Sequence, residues 1–469
     1  MFTDANLVPK NFQVRCDICI VGAGAAGIAM ALELKNSSLN VCILESGGIN
    51  YEEQVQKLYD FEATGLSISP RSRIHQFGGT TTAWMGLWRE MDAIDFESRG
   101  WIPNSGWPFG KKELAPYYKR ADELLSASYL LTFLSQPELF VGSDVLKTVE
   151  FQRIKKADLD FGKKFFKELA KAKNIAICLN ANVVNLEASQ NCRMVERADV
   201  KTLRGNNFQI KARLFILAAG GIENARLLLL SDSVNKRGLG NDYDQVGRYY
   251  MDHPKGVAGK VRLRKTLPVA RVALSGLRLS DETQRKFEVS NSLVMLLPHR
   301  LSFLHKVKKK LLNLSAQADT FSVRNFMEQV PNPDNRVTLS DTKDALACRK
   351  VNINWQINEA DKKSMLSFHQ ILRDELKRLA IGELESPLID QEYSKWPIAQ
   401  DASHHMGTTR MGSDPKNSVV NTDLKIHGVE NLYVVGSSVF PTGGYANPMA
   451  TIVALAVRLT EHLKSKEAL

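Results

Sequence analysis

This 469-residue sequence is bounded first by what it lacks. Its longest apolar run, residues 449–457 with one Thr inside, falls far short of the ~20 residues that a bilayer-spanning helix needs. Residues 1–14 hold neither an apolar core nor a small-residue cleavage pattern, so no secretory leader is expected and a cytoplasmic protein is. Cysteine is scarce, six residues at positions 16, 19, 42, 178, 192 and 348, mostly in apolar stretches rather than in a disulfide-like framework. No repeat of solenoid period and no low-complexity tract occurs. Basic residues outnumber acidic ones, 62 to 51, for a formal charge of +11. They are spread along the chain without any nucleic-acid motif, so a merely basic surface is expected and a nucleic-acid partner is not.

Cys16 and Cys19 are spaced as C-x-x-C, a pattern that elsewhere serves redox or metal chemistry. Here it lies in a strand-like run, where residues three apart point to opposite faces. Core packing is the expectation, and no metal site is expected.

Against these absences, the composition is that of an ordinary globular protein: 44% hydrophobic and 24% charged, with 30 glycines. The length favours two domains over one core. Cys16-Asp-Ile-Cys-Ile-Val21 reads as a strand, Gly22-Ala-Gly-Ala-Ala-Gly27 as a turn and residues 28–34 as a helix. Val41-Cys-Ile-Leu44 follows as a second strand ending in Glu45. That order is what a dinucleotide site requires. Gly22 permits the tight exit from the strand, Gly24 lets a pyrophosphate approach the backbone, and Gly27 brings helix and strand close together. The helix N-terminus offers free N–H groups to phosphate, and Glu45 is placed to bind a ribose.

Two further apolar runs, 213–220 and 431–438, each lead into a turn and a helix, as strands buried on both faces in a parallel sheet do. Between them, Lys260-Val-Arg-Leu-Arg264 and Val351-Asn-Ile-Asn-Trp355 alternate as strands with one wet face. The expected fold is α/β: a Rossmann-like nucleotide-binding domain with an inserted α+β domain on an antiparallel sheet. The expected division is 1–110, 151–254 and 398–469 for the first, 111–150 and 255–397 for the second. Leu301, Leu304, Val307, Leu311 and Leu314 repeat at helical spacing among Lys306, Lys308, Lys309 and Lys310. The favoured reading is a covering helix with a solvated lysine face, ahead of peripheral membrane contact.

The densest motif is Asp401-Ala-Ser-His-His405-Met-Gly-Thr-Thr-Arg410, followed by Ser437-Ser-Val-Phe-Pro-Thr-Gly-Gly-Tyr-Ala-Asn447-Pro448. These segments resemble the C-terminal signature of the glucose–methanol–choline (GMC) flavin oxidoreductases. The resemblance also takes in the 22–27 turn, Gly78-Gly79-Thr80, the 220–226 segment, Val246-Gly-Arg-Tyr-Tyr-Met-Asp-His-Pro254 and the 331–339 segment. It leaves out about 260–325. It implies FAD, in a fold like that of p-hydroxybenzoate hydroxylase. It also implies that His404, the first histidine of the H-x-x-G-T pattern, is the base and that Asn447 pairs with it.

His405 is the competitor for the base, and His253 is expected to be structural. Oxidising an alcohol needs an acceptor for the hydroxyl proton, and imidazole is one near neutral pH. An Asn beside it can hold the alcohol oxygen. The expected cofactor contacts are Gly22, Gly24, Ala25, Ala26, Gly27, Glu45, Ser46, Arg73, Gly78, Gly79, Thr80, Trp84, Val183, Ala219, Gly220, Gly436, Ser437, Asn447 and Pro448.

Gly78-Gly79-Thr-Thr-Thr-Ala83-Trp84 is similar to the loop through which sugar oxidases of the family link FAD to a histidine. Ala83 stands at the position of that histidine, so the FAD is expected to be non-covalent. The expected substrate is a small polar alcohol, with sugars, amino sugars and cyclitols in front. Oxygen, a quinone or a redox protein is left open as the electron acceptor. The different functional class is a flavin-carrying protein that oxidises no alcohol, a lyase or a binding subunit.

Overall fold

The computed structural model describes residues 1–125, 140, 142–268, 275–298 and 317–467. The basic segment 301–314 lies outside the described residues. The principal sheet has eight strands. Phe2–Asp4, Ile175–Leu179, Val41–Leu44, Gln13–Val21 and Asn207–Leu217 lie side by side and parallel. Leu432–Val434 adds a further parallel strand beside the end of Asn207–Leu217. Val195–Lys201 and Asn182–Ala188 extend the sheet antiparallel. The central strands are buried on both faces, Val41–Leu44 along its whole length, which is why they read as unbroken apolar runs. Cys16 and Cys19 are free thiols in the Gln13–Val21 strand.

The second sheet has six strands, all antiparallel: Gly382–Glu385, Lys255–Pro268, Gln317–Phe326, Leu293–Pro298, Ser275–Leu279 and Leu146–Glu150. Val261 and Leu263 are buried while Arg262 and Arg264 are exposed, the alternation of a one-sided sheet. The buried face packs on the helix Glu359–Arg378 through Met365, Phe368, Leu372 and Leu376. A three-stranded sheet (Arg336–Lys343, Arg349–Trp355, Phe61–Gly65) ties the two parts together, because its last strand comes from the N-terminal region.

One expected boundary is corrected. The helix Lys111–Leu124 does not join the antiparallel sheet as the 111–150 division expects. Its Leu114, Tyr118 and Ala121 are buried in the core around the parallel sheet, and the Tyr118 hydroxyl meets Thr451 Oγ1 at 2.8 Å on the C-terminal helix Met449–Glu467. An amphipathic helix buries its stripe on whichever layer offers an apolar face, and here that is the C-terminal helix. Within the same span, Leu146–Glu150 does pair into the antiparallel sheet.

Candidate active site

The Gln13–Val21 strand ends at Gly22, whose φ of +107° is open only to glycine, and a side chain there would meet the Ala218 carbonyl oxygen at 2.7 Å. Gly24 precedes the helix Ala25–Leu34, which has no side-chain cap. A side chain at Gly24 would meet nothing within 4 Å, so this flank of the turn is open for a ligand. A side chain at Gly27 would collide with the Gly22 carbonyl oxygen. Glu45 is buried, and its carboxylate accepts the Ala23 N–H at 2.9 Å and the Gly47 N–H at 2.9 Å. Burial pushes its carboxyl up to about 7 against those hydrogen bonds.

A cavity of about 780 Å³ runs from this turn to the histidines. The uncapped helix start at Ala25, the Gly220 turn and the start of the C-terminal helix at Met449 all reach its wall. Three helix N-terminal ends face one space, an arrangement that favours negative charge. Of the expected cofactor contacts, Gly22, Gly24, Ala25, Ala26, Glu45, Ser46, Arg73, Gly79, Thr80, Trp84, Val183, Ala219, Gly220, Gly436, Ser437, Asn447 and Pro448 line it. Gly27 and Gly78 do not. Gly27 works behind the turn, and Gly78 holds a left-handed bend (φ +100°) packed on Gly162. Arg73 is already engaged, donating to Glu223 Oε1 at 2.5 Å and to the Tyr59 carbonyl at 2.7 Å. Open backbone, free helix ends and a long cavity fit a dinucleotide.

The other end of the cavity is built by side chains. Met251 and Met406 exchange backbone hydrogen bonds, which sets Asp252-His253 beside His404-His405. The buried Asp252 carboxylate accepts the N–H groups of His253 (2.6 Å), Ala402 (3.0 Å) and His404 (3.1 Å), fixing the turn at Ser403, whose φ is +62°. His404 then has two ring partners. Its Nε2 receives a hydrogen bond from Asn447 Nδ2 at 3.1 Å, and its Nδ1 lies 2.8 Å from His253 Nδ1. An amide nitrogen only donates, so His404 Nε2 carries the lone pair and Nδ1 the proton. His253 Nδ1 accepts that proton's hydrogen bond. Its own N–H is then on Nε2, buried against the backbone of Gly443 and Gly444 without an aligned partner.

Burial keeps His404 well below the ordinary imidazole value, with the neighbouring His253, Lys255 and His405 adding to it, and burial takes His253 down to about 4. Nε2 is therefore unprotonated at neutral pH. His405 sits behind, 6% exposed, tilted against the Tyr250 ring. Its Nε2 is 4.0 Å from Asp252 Oδ2, and burial takes it down to about 3. Asp252 itself is pushed up to about 7 by burial and by Asp401. His253, expected to be only structural, touches the ring of His404. The Asp-His-Pro segment was visible in the sequence, but nothing local to it said which ring it would face.

The family model of the GMC oxidoreductases matches residues 331–456. The chain is 25% identical to 2-methyl-1,2-propanediol dehydrogenase of Mycolicibacterium austroafricanum, over 96% of this chain and 95% of that one. It is 22% identical to 6'''-hydroxyparomomycin C oxidase of Streptomyces lividus, over 96% and 91%. The C-terminal part of the chain thus matches the GMC oxidoreductases, and these comparisons support a place in that family. Among solved structures, pyridoxine 4-oxidase from Mesorbium loti matches with a TM-score of 0.61 at 18% identity, covering 96% of this chain and 99% of that one. A formate oxidase matches with a TM-score of 0.62 at 18% identity, covering 98% and 100%. These two likenesses concern the fold. The similar proteins support an FAD-dependent oxidoreductase acting on alcohols. Among the described residues, no helix is long and apolar enough to cross a membrane.

Proposed function

We propose that this protein oxidises a CH–OH group of a small polar substrate to a carbonyl, with His404 as the base and Asn447 as the residue that holds the alcohol oxygen. The observation that carries the reading is the state of His404. Its Nε2 bears an unprotonated lone pair that accepts from the Asn447 amide at 3.1 Å, in the wall of the cavity that begins at the glycine turn. An alcohol oxygen that displaces this contact accepts a hydrogen bond from Asn447 Nδ2 and gives its proton to His404 Nε2. The O–H bond breaks, an N–H bond forms, and the electron pair left on oxygen becomes the second bond of the carbonyl as the C–H hydrogen departs as hydride. His253 keeps the receiving nitrogen in the right tautomer throughout. FAD, when bound, supplies the hydride acceptor.

The residues that would hold FAD are the 22–27 turn, Glu45, Gly79 and Thr80, and the Gly220 and Gly436 turns. Ala83 lines the cavity and offers no nucleophile, so the flavin is held without a covalent bond. In this reading 1–110, 151–254 and 398–469, together with the 111–124 helix, bind the cofactor, and 255–397 meets the substrate. Relatives named 6'''-hydroxyparomomycin C oxidase and paromamine 6'-oxidase, and a C-glycoside 3-oxidase of Arthrobacter globiformis (35% identical over 27% of this chain), support the choice of sugars, amino sugars and cyclitols.

The test is anaerobic mixing of the flavin-loaded protein with a panel of sugars and polyols. Flavin bleaching is expected with at least one alcohol, and none with any would leave the lyase or binding reading in its place. Acid precipitation is expected to release all the flavin into the supernatant, and flavin retained on the pellet would sink the non-covalent assignment.

A further inference from the structure

The cavity wall carries three acids, and each is held by the protein. Glu45 accepts two backbone N–H groups, Glu223 pairs with Arg73 and Arg226, and Asp344 pairs with Arg226 at 2.7 Å. Three cations in the same wall are different: the side chains of Arg71, Lys255 and Arg324 make no hydrogen bond or ion pair with any described residue. Arg71 is exposed and stands apart in sequence, while Lys255 and Arg324 form a neighbouring pair. Both belong to the antiparallel sheet, not to the cofactor-side turns.

Register places them on one face. Lys255 stands opposite Phe326 and Arg324 opposite Val257, so the two cations are diagonal neighbours on adjacent strands, with Cα atoms roughly 7–8 Å apart. Met295 stands opposite Arg324 on the next strand, with Leu297 two residues on. The cavity face of this sheet is thus two unpaired cations among Met295, Leu297 and Phe326, and the Arg324 guanidinium lies 5.4 Å from the centre of the Phe326 ring. Two half-buried like charges beside apolar wall, without a counter-ion, repel each other, so the arrangement favours an incoming anion. Guanidinium binds an oxyanion through two parallel N–H groups and the ammonium adds a point charge.

We propose that the alcohol substrate also carries an oxyanion group, a carboxylate or a phosphate ester, and that Lys255 and Arg324 bind it. The proposal rests on alcohol oxidation at His404 and names the class of alcohol. It also bears on the base: Lys255 follows Asp252-His253-Pro254 directly, and its positive charge opposes protonation of His404. An anion bound at Lys255 offsets that charge while His404 takes up the proton.

The experiment is anaerobic reduction of the flavin-loaded protein by matched pairs: gluconate against glucitol, and glucose 6-phosphate against glucose. The anionic member of at least one pair is expected to give a kcat/KM about tenfold or more higher, with the advantage shrinking at high salt. The pair that shows the advantage says whether carboxylate or phosphate is the group recognised. Lys255→Gln and Arg324→Gln are each expected to bring the anionic-to-neutral ratio down by about tenfold. As a second readout, inorganic phosphate and cyclohexanecarboxylate are titrated against the oxidised flavin spectrum, with a perturbation expected in the parent protein and weakened in both variants. Neutral members reducing the flavin as well as their anionic partners would overturn this inference and leave alcohol oxidation standing. No reduction by any alcohol would overturn both.

Discussion

The two ends of the one cavity are made of different material. At the 22–27 turn the working parts are backbone: glycines without side chains, free N–H groups and an uncapped helix start. At the histidine end they are side chains from separate segments, His253, His404 and Asn447, locked to one another at 2.8 and 3.1 Å. A backbone site tolerates almost any neighbour but no added atoms. A side-chain site tolerates changes of volume but not the loss of one functional group. The strongest test of this contrast is His404→Ala. It is expected to leave FAD bound, because the cofactor end does not use that ring, while slowing anaerobic flavin reduction by ~10²–10⁴. A stopped-flow trace with unchanged rate would move the base to His405.

The opposite end breaks differently, and two neighbouring glycines separate its roles. Gly27→Ala places a methyl against the Gly22 carbonyl oxygen, where helix and strand are already in contact. The apoprotein is expected to lose about 1–3 kcal/mol of stability, read by thermal or urea unfolding, and FAD occupancy falls with it. Gly24→Ala meets no protein atom. Its apoprotein is expected to stay within about 0.5 kcal/mol of the parent, while FAD binding weakens because the methyl occupies the ligand's approach. Equal losses in the two variants would erase the distinction between a packing glycine and a ligand-facing one.

The same contrast explains what could be read from the sequence. Strand, turn and helix at 16–34 are specified by local order, since Gly27 answers to the Gly22 carbonyl and Gly22 to the end of the strand beside it, while Gly24 faces open space. The alternation at 260–264 is equally local and places Val261 and Leu263 inward as observed. The histidine at 404 and the amide at 447 were legible only through resemblance to a family. His253 reaches His404 across 151 residues of chain, a contact that no window of sequence encodes. Lys255 and Arg324 meet through sheet register, and a slip of one residue would turn either one out of the cavity. The helix at 111–124 announces an apolar stripe without saying which layer will cover it, which is why its placement had to be corrected.

The smallest effect concerns pH, and it joins the two kinds of residue at the histidine end. The proposed base, His404, works only when neutral. Burial first, then the charges of His253, Lys255 and His405, hold His404 well below the ordinary 6.5 of imidazole. A lowered value means that the active, neutral form survives as pH falls through 6.5 and is lost only where the buried ring finally protonates. The rate of flavin reduction is therefore expected to stay level from about pH 8 to below pH 6, where a solvated imidazole would already have lost most of its activity. A limb centred near 6.5 would mean that the ring is solvated while it works. Removing one of the lesser causes gives the finer measurement. Lys255→Gln takes away a positive charge that disfavours the imidazolium, so the acid limb is expected to move to higher pH, toward 6.5 but short of it, because burial is unchanged. A limb that stays in place would show that Lys255 reaches only the substrate and leaves the base alone.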